Sequence, residues 1–233
     1  MSRLATVKAT PYADRPQTSG YNIYESDLMP PTPGHTVFVV DDDEAVRKAV
    51  SRLLRSAGIA AAVFASPREF LAQYNPATPG CLVLDMAMPD FDGLQLQTAL
   101  NEKGCILPII FLTGHGDVSK SVQAMKQGAF DFLSKPAKDK DLLTAVRAAI
   151  ERDTVARREQ AKLSEIRARL DTLTPREREV LEHVVSGKLN KQIAGDLGIT
   201  EATVKMHRAR VMAKMKVQSV AELARLTERC GTN

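Results

Sequence analysis

Four short apolar runs that each stop on a polar group constrain this chain most. Val37-Phe38-Val39-Val40 runs into Asp41-Asp42, Leu82-Val83-Leu84 into Asp85, Ile109-Ile110-Phe111-Leu112 into Thr113, and Phe130-Asp131-Phe132-Leu133-Ser134 into Lys135-Pro136. Val/Leu/Ile runs of this length, without polar alternation, read as strands buried on both faces, as in a parallel sheet. Between them lie helical patterns. Asp43 can cap a helix carrying Val46, Val50, Leu53 and Leu54 at three–four spacing, ended by Gly58. Ala60 to Phe64 reads as another strand, and Ser66-Pro67 opens a helix with Phe70, Leu71 and Tyr74 on one face. Leu94, Leu96 and Leu100 mark a third helix, a fourth runs from about Asp117 through Val122 and Met125 to Gly128, and a fifth opens near Asp139 with Leu142, Leu143, Val146 and Ile150 inward. Five strand–helix alternations imply an α/β fold with a five-stranded parallel sheet and right-handed crossovers.

Ligands of open α/β sheets bind beyond the carboxyl ends of the strands. That rule gathers Asp41, Asp42, Asp85, Thr113 and Lys135 at one rim. Three carboxylates repel one another unless a cation neutralises them, and an all-oxygen donor set suits Mg²⁺. Carboxylates, a divalent cation, a hydroxyl and an ammonium are the groups needed to receive and hold a phosphoryl group on Asp85. A dinucleotide-binding fold is disfavoured, because Asp-Asp-Asp-Glu follows the first strand where that fold needs a glycine-rich cradle. Taken singly, Asp43, Asp90 and Asp92 read as caps or surface charges, Lys135 as a surface lysine and Phe132 as core. Four scattered His and three scattered Cys have no metal-ligand spacing. Cys81 and Cys105 lie beside apolar runs and read as buried thiols in a reducing compartment.

The second half differs in charge. Residues 36–155 carry 13 Lys/Arg against 15 Asp/Glu, whereas residues 172–233 carry 11 against 7. An acidic module followed by a basic one points the second toward a polyanion. Residues 1–35, with Pro30-Pro31-Thr32-Pro33, read as a disordered extension. Residues 151–171 are charged and free of Pro and Gly, and Leu163, Ile166 and Leu170 give a helical linker able to pair briefly with its own copy. Beyond it, Thr174, Pro175 and Glu177 form a capping box, Asn190 is expected to cap a short helix ending at Gly198, Thr200 caps the next, and Ser219 caps the last. Two short helices meeting at Gly198-Ile199 make a helix-turn-helix. On the helix after Thr200, Val204, Val211 and Met215 share one face, while Lys205, Met206, Arg208, Ala209 and Met212 lie largely opposite, as suits a helix entering a DNA major groove. The alternative is an ordinary solvated basic helix.

The strand-end residues, with Asp85-Met-Ala-Met-Pro-Asp-Phe-Asp-Gly93, Leu-Thr113-Gly-His-Gly-Asp and Lys135-Pro136, resemble the receiver domain of two-component response regulators. Leu-Thr-Pro-Arg-Glu-Arg-Glu-Val-Leu, Asn-Lys-Gln-Ile-Ala and Thr203-Val-Lys-Met-His-Arg-Ala-Arg resemble the LuxR-type DNA-binding domain. Together they resemble the NarL/FixJ family of response regulators, closest to its FixJ branch. The resemblance implies a (βα)5 receiver over residues 36–155, a helical linker over 156–171 and an all-α four-helix LuxR-type helix-turn-helix domain over 172–233. It implies that Asp85 is the phosphoacceptor, that Asp41, Asp42, Asp85 and the Ala87 carbonyl hold Mg²⁺, that Lys135 pairs with Asp85, that Thr113 and Phe132 are switch residues, and that Lys135-Pro136 is cis. Lys205, Met206 and Ala209 would face base edges; Lys191, Arg208, Arg210 and Lys214 are candidates for phosphate contacts. The expected partners are a sensor histidine kinase, double-stranded promoter DNA, a second copy on phosphorylation and RNA polymerase, for a cytoplasmic regulator that is not an enzyme. The rivals are a DNA-binding regulator independent of phosphorylation and a phosphotransfer or interaction module that binds no DNA.

Overall fold

The computed structural model describes residues 34–114 and 118–231. The expected disorder of the N-terminal extension therefore lies almost wholly outside the described residues, as do His115 and the expected start of the fourth helix at Asp117. The apolar runs are strands: β1 (Thr36–Val40), β2 (Ala60–Phe64), β3 (Gly80–Asp85), β4 (Ile109–Thr113) and β5 (Asp131–Ser134). They pair in the order β2-β1-β3-β4-β5, all parallel. Between them run α1 (Glu44–Ser56), α2 (Pro67–Gln73), α3 (Gly93–Glu102) and α4 (Val118–Lys126). Side chains alternate through the sheet. Phe38, Val40, Leu82 and Leu84 pack with Phe70, Leu96 and Ala124 on the face of α2, α3 and α4, while Val37, Val39, Cys81 and Val83 pack with Val50, Leu54, Val146 and Ile150 on the other. Each such buried Val, Leu or Phe contributes about 1.5–3 kcal/mol relative to exposure. The expected caps form: Asp43 accepts the Ala45 N–H and Ser66 the Glu69 N–H.

The fifth helix opens at Asp139 as expected and continues through the expected helical linker. α5 runs from Asp139 to Asp171 without a break, 33 residues, or about 50 Å at 1.5 Å per residue. It passes residue 155 as helix, so receiver and linker share one rod. Its apolar residues Ile166 and Leu170 are buried in the core of the C-terminal helices, with Val180, Val184, Ile193, Val204, Val211, Met215 and Leu223. Ile166 and Leu170 of the expected stripe are thus used within their own chain, while Leu163 is half-exposed and outside that core.

That core joins α6 (Pro175–Val185), α7 (Asn190–Leu197), α8 (Glu201–Met215) and α9 (Val220–Arg229). Thr174, Thr200 and Ser219 cap as expected, and Gly198 takes the left-handed conformation (φ +65°) that turns α7 into α8. Asn190 does not cap α7. Leu189 holds the cap position, its N–H donates to Gln192 Oε1 at 2.8 Å, and Asn190 is the first helical residue, its Oδ1 accepting from Arg208 at 2.8 Å. Phe132 is 47% exposed on β5, not core. Val122 and Met125 of α4 are exposed apolar residues as well. Among the described residues no helix is long and apolar enough to cross a membrane.

Candidate functional site

Strand register builds the pocket. Val40 pairs with Leu84 and Leu84 with Phe111, so Asp41 and Asp85 leave adjacent strands side by side, with Thr113 one strand further on. Asp41 is fully buried; its Oδ1 accepts the Asp43 N–H at 2.9 Å and its Oδ2 accepts from Lys135 Nζ at 2.7 Å. Lys135 Nζ also lies 3.0 Å from Asp85 Oδ1, which accepts the Ala87 N–H at 3.3 Å. Both contacts fall on Oδ1. Asp42 is exposed, and carboxylate oxygens of Asp41, Asp42 and Asp85 lie within 4.8 Å of one another. Thr113 is buried at the end of β4, and its carbonyl accepts the Lys135 N–H at 2.7 Å, which ties the hydroxyl and ammonium strand ends together. The Lys135–Pro136 peptide is cis. Gly93 lets α3 close on this rim: a Cβ there would lie 2.5 Å from the Asp85 carbonyl oxygen.

Burial raises the Asp85 carboxyl above the usual carboxylate range; Lys135 pulls it down, and the Asp41 charge adds to the rise. For Lys135, burial works against the ammonium, but hydrogen bonds to Asp41 and Asp85 outweigh it and hold the group above its ordinary value. Three carboxylates against one ammonium leave a surplus of negative charge on an all-oxygen donor set, and Mg²⁺ fits that chemistry. One residue the sequence did not single out belongs here. Arg47 Nη1 donates to the carbonyls of Asp41 at 2.7 Å and Asp42 at 2.9 Å, fixing the turn that presents both carboxylates. Its place in the first turn of α1 gave no signal, because an exposed helical arginine is the default.

A second surface lies on α8. Val204, Val211 and Met215 are buried, and Lys205, Met206, Ala209 and Arg210 are exposed. Lys191 is exposed in the first turn of α7. Arg208 is half-buried against Asn190. Lys214 is committed within the fold: its Nζ donates to Glu177 Oε2 at 2.6 Å and to the Thr172 carbonyl at 2.9 Å. The structure thus groups the side chains of Asp41, Asp42, Asp85 and Lys135, four of the five expected at the rim, and joins Thr113 to them through its backbone. It presents five of the expected α7–α8 residues to solvent and turns Lys214 inward.

Most of the chain compares closely with known proteins. Residues 37–147 match the response regulator receiver domain, and residues 171–227 match the bacterial regulatory proteins of the luxR family. Nodulation protein W of Bradyrhizobium diazoefficiens is 45% identical over 205 residues, 85% of this chain and 90% of the relative. Transcriptional regulatory protein FixJ of Azorhizobium caulinodans is 46% identical over 190 residues, 82% of this chain and 90% of the relative. Among solved structures, response regulator StyR superposes with a TM-score of 0.76 at 43% identity, covering 84% of this chain and 99% of that one. With the sheet, the acidic pocket and the helix-turn-helix in hand, these likenesses place the chain in the NarL/FixJ family of response regulators, transcription regulators that join a phosphorylation-controlled receiver to a LuxR-type DNA-binding domain.

Proposed function

We propose that Asp85 takes a phosphoryl group from the phosphohistidine of a sensor kinase, and that the resulting acyl phosphate switches DNA binding by pairing two receivers. The observation that carries this reading is the convergence of Asp41, Asp42 and Asp85 within 4.8 Å, with Lys135 Nζ 3.0 Å from Asp85. A P–O bond to Asp85 forms as the donor's P–N bond breaks, and the imidazole leaves. Asp85 Oδ2 has no hydrogen-bond partner among the described residues and is the oxygen left to attack. Lys135 neutralises the charge that arrives. Asp41, Asp42, Asp85 and the Ala87 carbonyl would hold Mg²⁺, which when bound screens the phosphoryl oxygens from the carboxylates.

The modification adds about two negative charges at neutral pH. The Thr113 hydroxyl is drawn to the new oxygens, and Phe132 turns in behind it from its exposed position. That motion reshapes the face holding Val122, Met125 and Phe132, which a second copy covers. Two helix-turn-helix units then meet DNA together, with Lys205, Met206 and Ala209 toward base edges and Lys191, Arg208 and Arg210 toward phosphates. Lys214 serves instead to hold α8 against α6. On a promoter the bound dimer would adjoin RNA polymerase. Three free cysteines suit the reducing cytoplasm.

The test is intact mass after incubation with Mg²⁺ and a small acyl-phosphate donor. Wild type should gain one phosphoryl group and Asp85→Asn none. Gain in both proteins would move the acceptor elsewhere; gain in neither, with the cognate kinase also tried, would favour a regulator independent of phosphorylation.

A further inference from the structure

α5 is fastened along its length to two different bodies. At the receiver end Asp153 is fully buried. Its Oδ2 accepts the Gly80 N–H at 2.9 Å, at the foot of β3, and Arg157 Nε at 2.8 Å. Arg157 in turn donates to the carbonyls of Pro76 at 2.9 Å and Thr78 at 3.0 Å. This clasp locks one turn of α5 against the loop before β3. A buried carboxylate with a paired guanidinium tolerates little rotation, because each displaced bond leaves a charge without a partner.

At the other end Arg169 Nη1 donates to the Met215 carbonyl at 3.1 Å, on the last turn of α8, and Lys214 returns a bond to the Thr172 carbonyl at 2.9 Å. Ile166 and Leu170 lie in the same core as Val204, Val211 and Met215. The end of α5 and the recognition helix are therefore one body. Residues 158–165 are exposed or half-exposed and the helix runs through them unbroken, while Glu159 accepts from Arg229 Nη2 of α9 at 2.7 Å, so the C-terminal body holds α5 from Glu159 onward and the receiver holds it up to Arg157.

We infer that α5 is a helical spacer whose residue count sets the angle of the recognition helix about the α5 axis relative to the receiver, and so determines which half-site geometry a receiver-paired dimer accepts. An α-helix turns 100° per residue, so the spacing between Arg157 and Arg169 is a specificity determinant for DNA that makes no DNA contact itself. Asp153, Arg157 and Arg169 are its positioning residues. The inference rests on the receiver pairing proposed above.

The test inserts alanines between Arg158 and Glu159 of the full chain. Two alanines turn the C-terminal body by about 200°, and seven return it to within about 20° of its starting angle. The probe is the duplex that phosphorylated wild type selects from a random-sequence pool. Phosphoryl gain by mass and solution size are read on every variant, as is binding to a single half-site at low salt. The expected result is normal phosphorylation, pairing and half-site binding in both variants. The two-alanine variant then loses about 100-fold in affinity for the full duplex, the scale of the avidity gained when both half-sites are engaged. The seven-alanine variant recovers most of it. Equal affinity in all three proteins, or a loss that grows with length and ignores phase, would overturn the spacer while leaving the phosphorylation reading intact. A wild type that gains phosphate but stays monomeric would overturn the receiver pairing and, with it, the spacer.

Discussion

Asp85 stands where burial and Asp41 push its carboxyl up and Lys135 pulls it down, with the rise prevailing. A carboxyl whose folded value lies above its unfolded one costs stability at every pH above the unfolded value, since the folded state holds the charge less readily. Asp85→Asn should therefore raise the thermal midpoint at pH 7 when no divalent cation is present, while abolishing phosphoryl uptake. Mg²⁺ should raise the midpoint of wild type and do less for the variant, because a ligand stabilises only the state that binds it. Differential scanning calorimetry of the pair checks both signs, and a lower midpoint for Asp85→Asn would contradict the repulsion. Glu177 has the opposite sign. The hydrogen bond from Lys214, then the Thr174 N–H, hold its carboxyl below the usual range. Its stabilisation is present above the unfolded value of about 4.3 and is lost as pH falls through the lower folded value. Wild type should lose C-terminal-domain stability more steeply below that pH than Glu177→Gln, read from acid melts followed by circular dichroism.

Secondary-structure elements with local signals were legible in the sequence; the tertiary roles of single side chains were not. Asp43, Ser66, Thr174, Thr200 and Ser219 announced their helices, because a cap needs only its own next three residues. The central strands β1, β3 and β4 were legible because both their faces are buried and their apolar runs are uninterrupted, while the edge strands β2 and β5 are partly exposed. Asn190 misled, since Gln192 satisfies the Leu189 N–H and leaves Asn190 free for Arg208. Asp153 and Arg157 look like a solvated i,i+4 pair, and only the Pro76, Thr78 and Gly80 backbone, more than seventy residues away, shows the carboxylate to be buried. Ile166 and Leu170 have the spacing of a pairing stripe, and nothing local says that α6, α8 and α9 cover it. Ile166→Ala and Leu170→Ala should each cost about 2–4 kcal/mol of C-terminal-domain stability, as buried aliphatic truncations do. Chemical denaturation of the full chain, followed by a probe in α8, measures this. A cost below about 0.5 kcal/mol, typical of surface sites, would show that the stripe is not core.

At the scale of the whole molecule, an acidic half that receives a charge and a basic half that meets a polyanion are joined by one helix. The pocket lies at the carboxyl ends of the strands, and the Asp153 clasp lies at their foot, beside the start of β3. Nothing in the described hydrogen bonds joins the receiver sheet to α6–α9 directly, so in the proposed mechanism the signal passes through receiver pairing, with α5 holding the two recognition helices in a fixed relation. The measurement that tests this most directly is the affinity of the full chain for its selected duplex, at one fixed salt concentration, before and after acyl-phosphate treatment, with Asp85→Asn alongside. Wild type should gain about 100-fold on phosphorylation, the avidity of two engaged half-sites, and Asp85→Asn should gain nothing. Equal affinity of phosphorylated and unphosphorylated wild type, with mass confirming the modification, would contradict that mechanism.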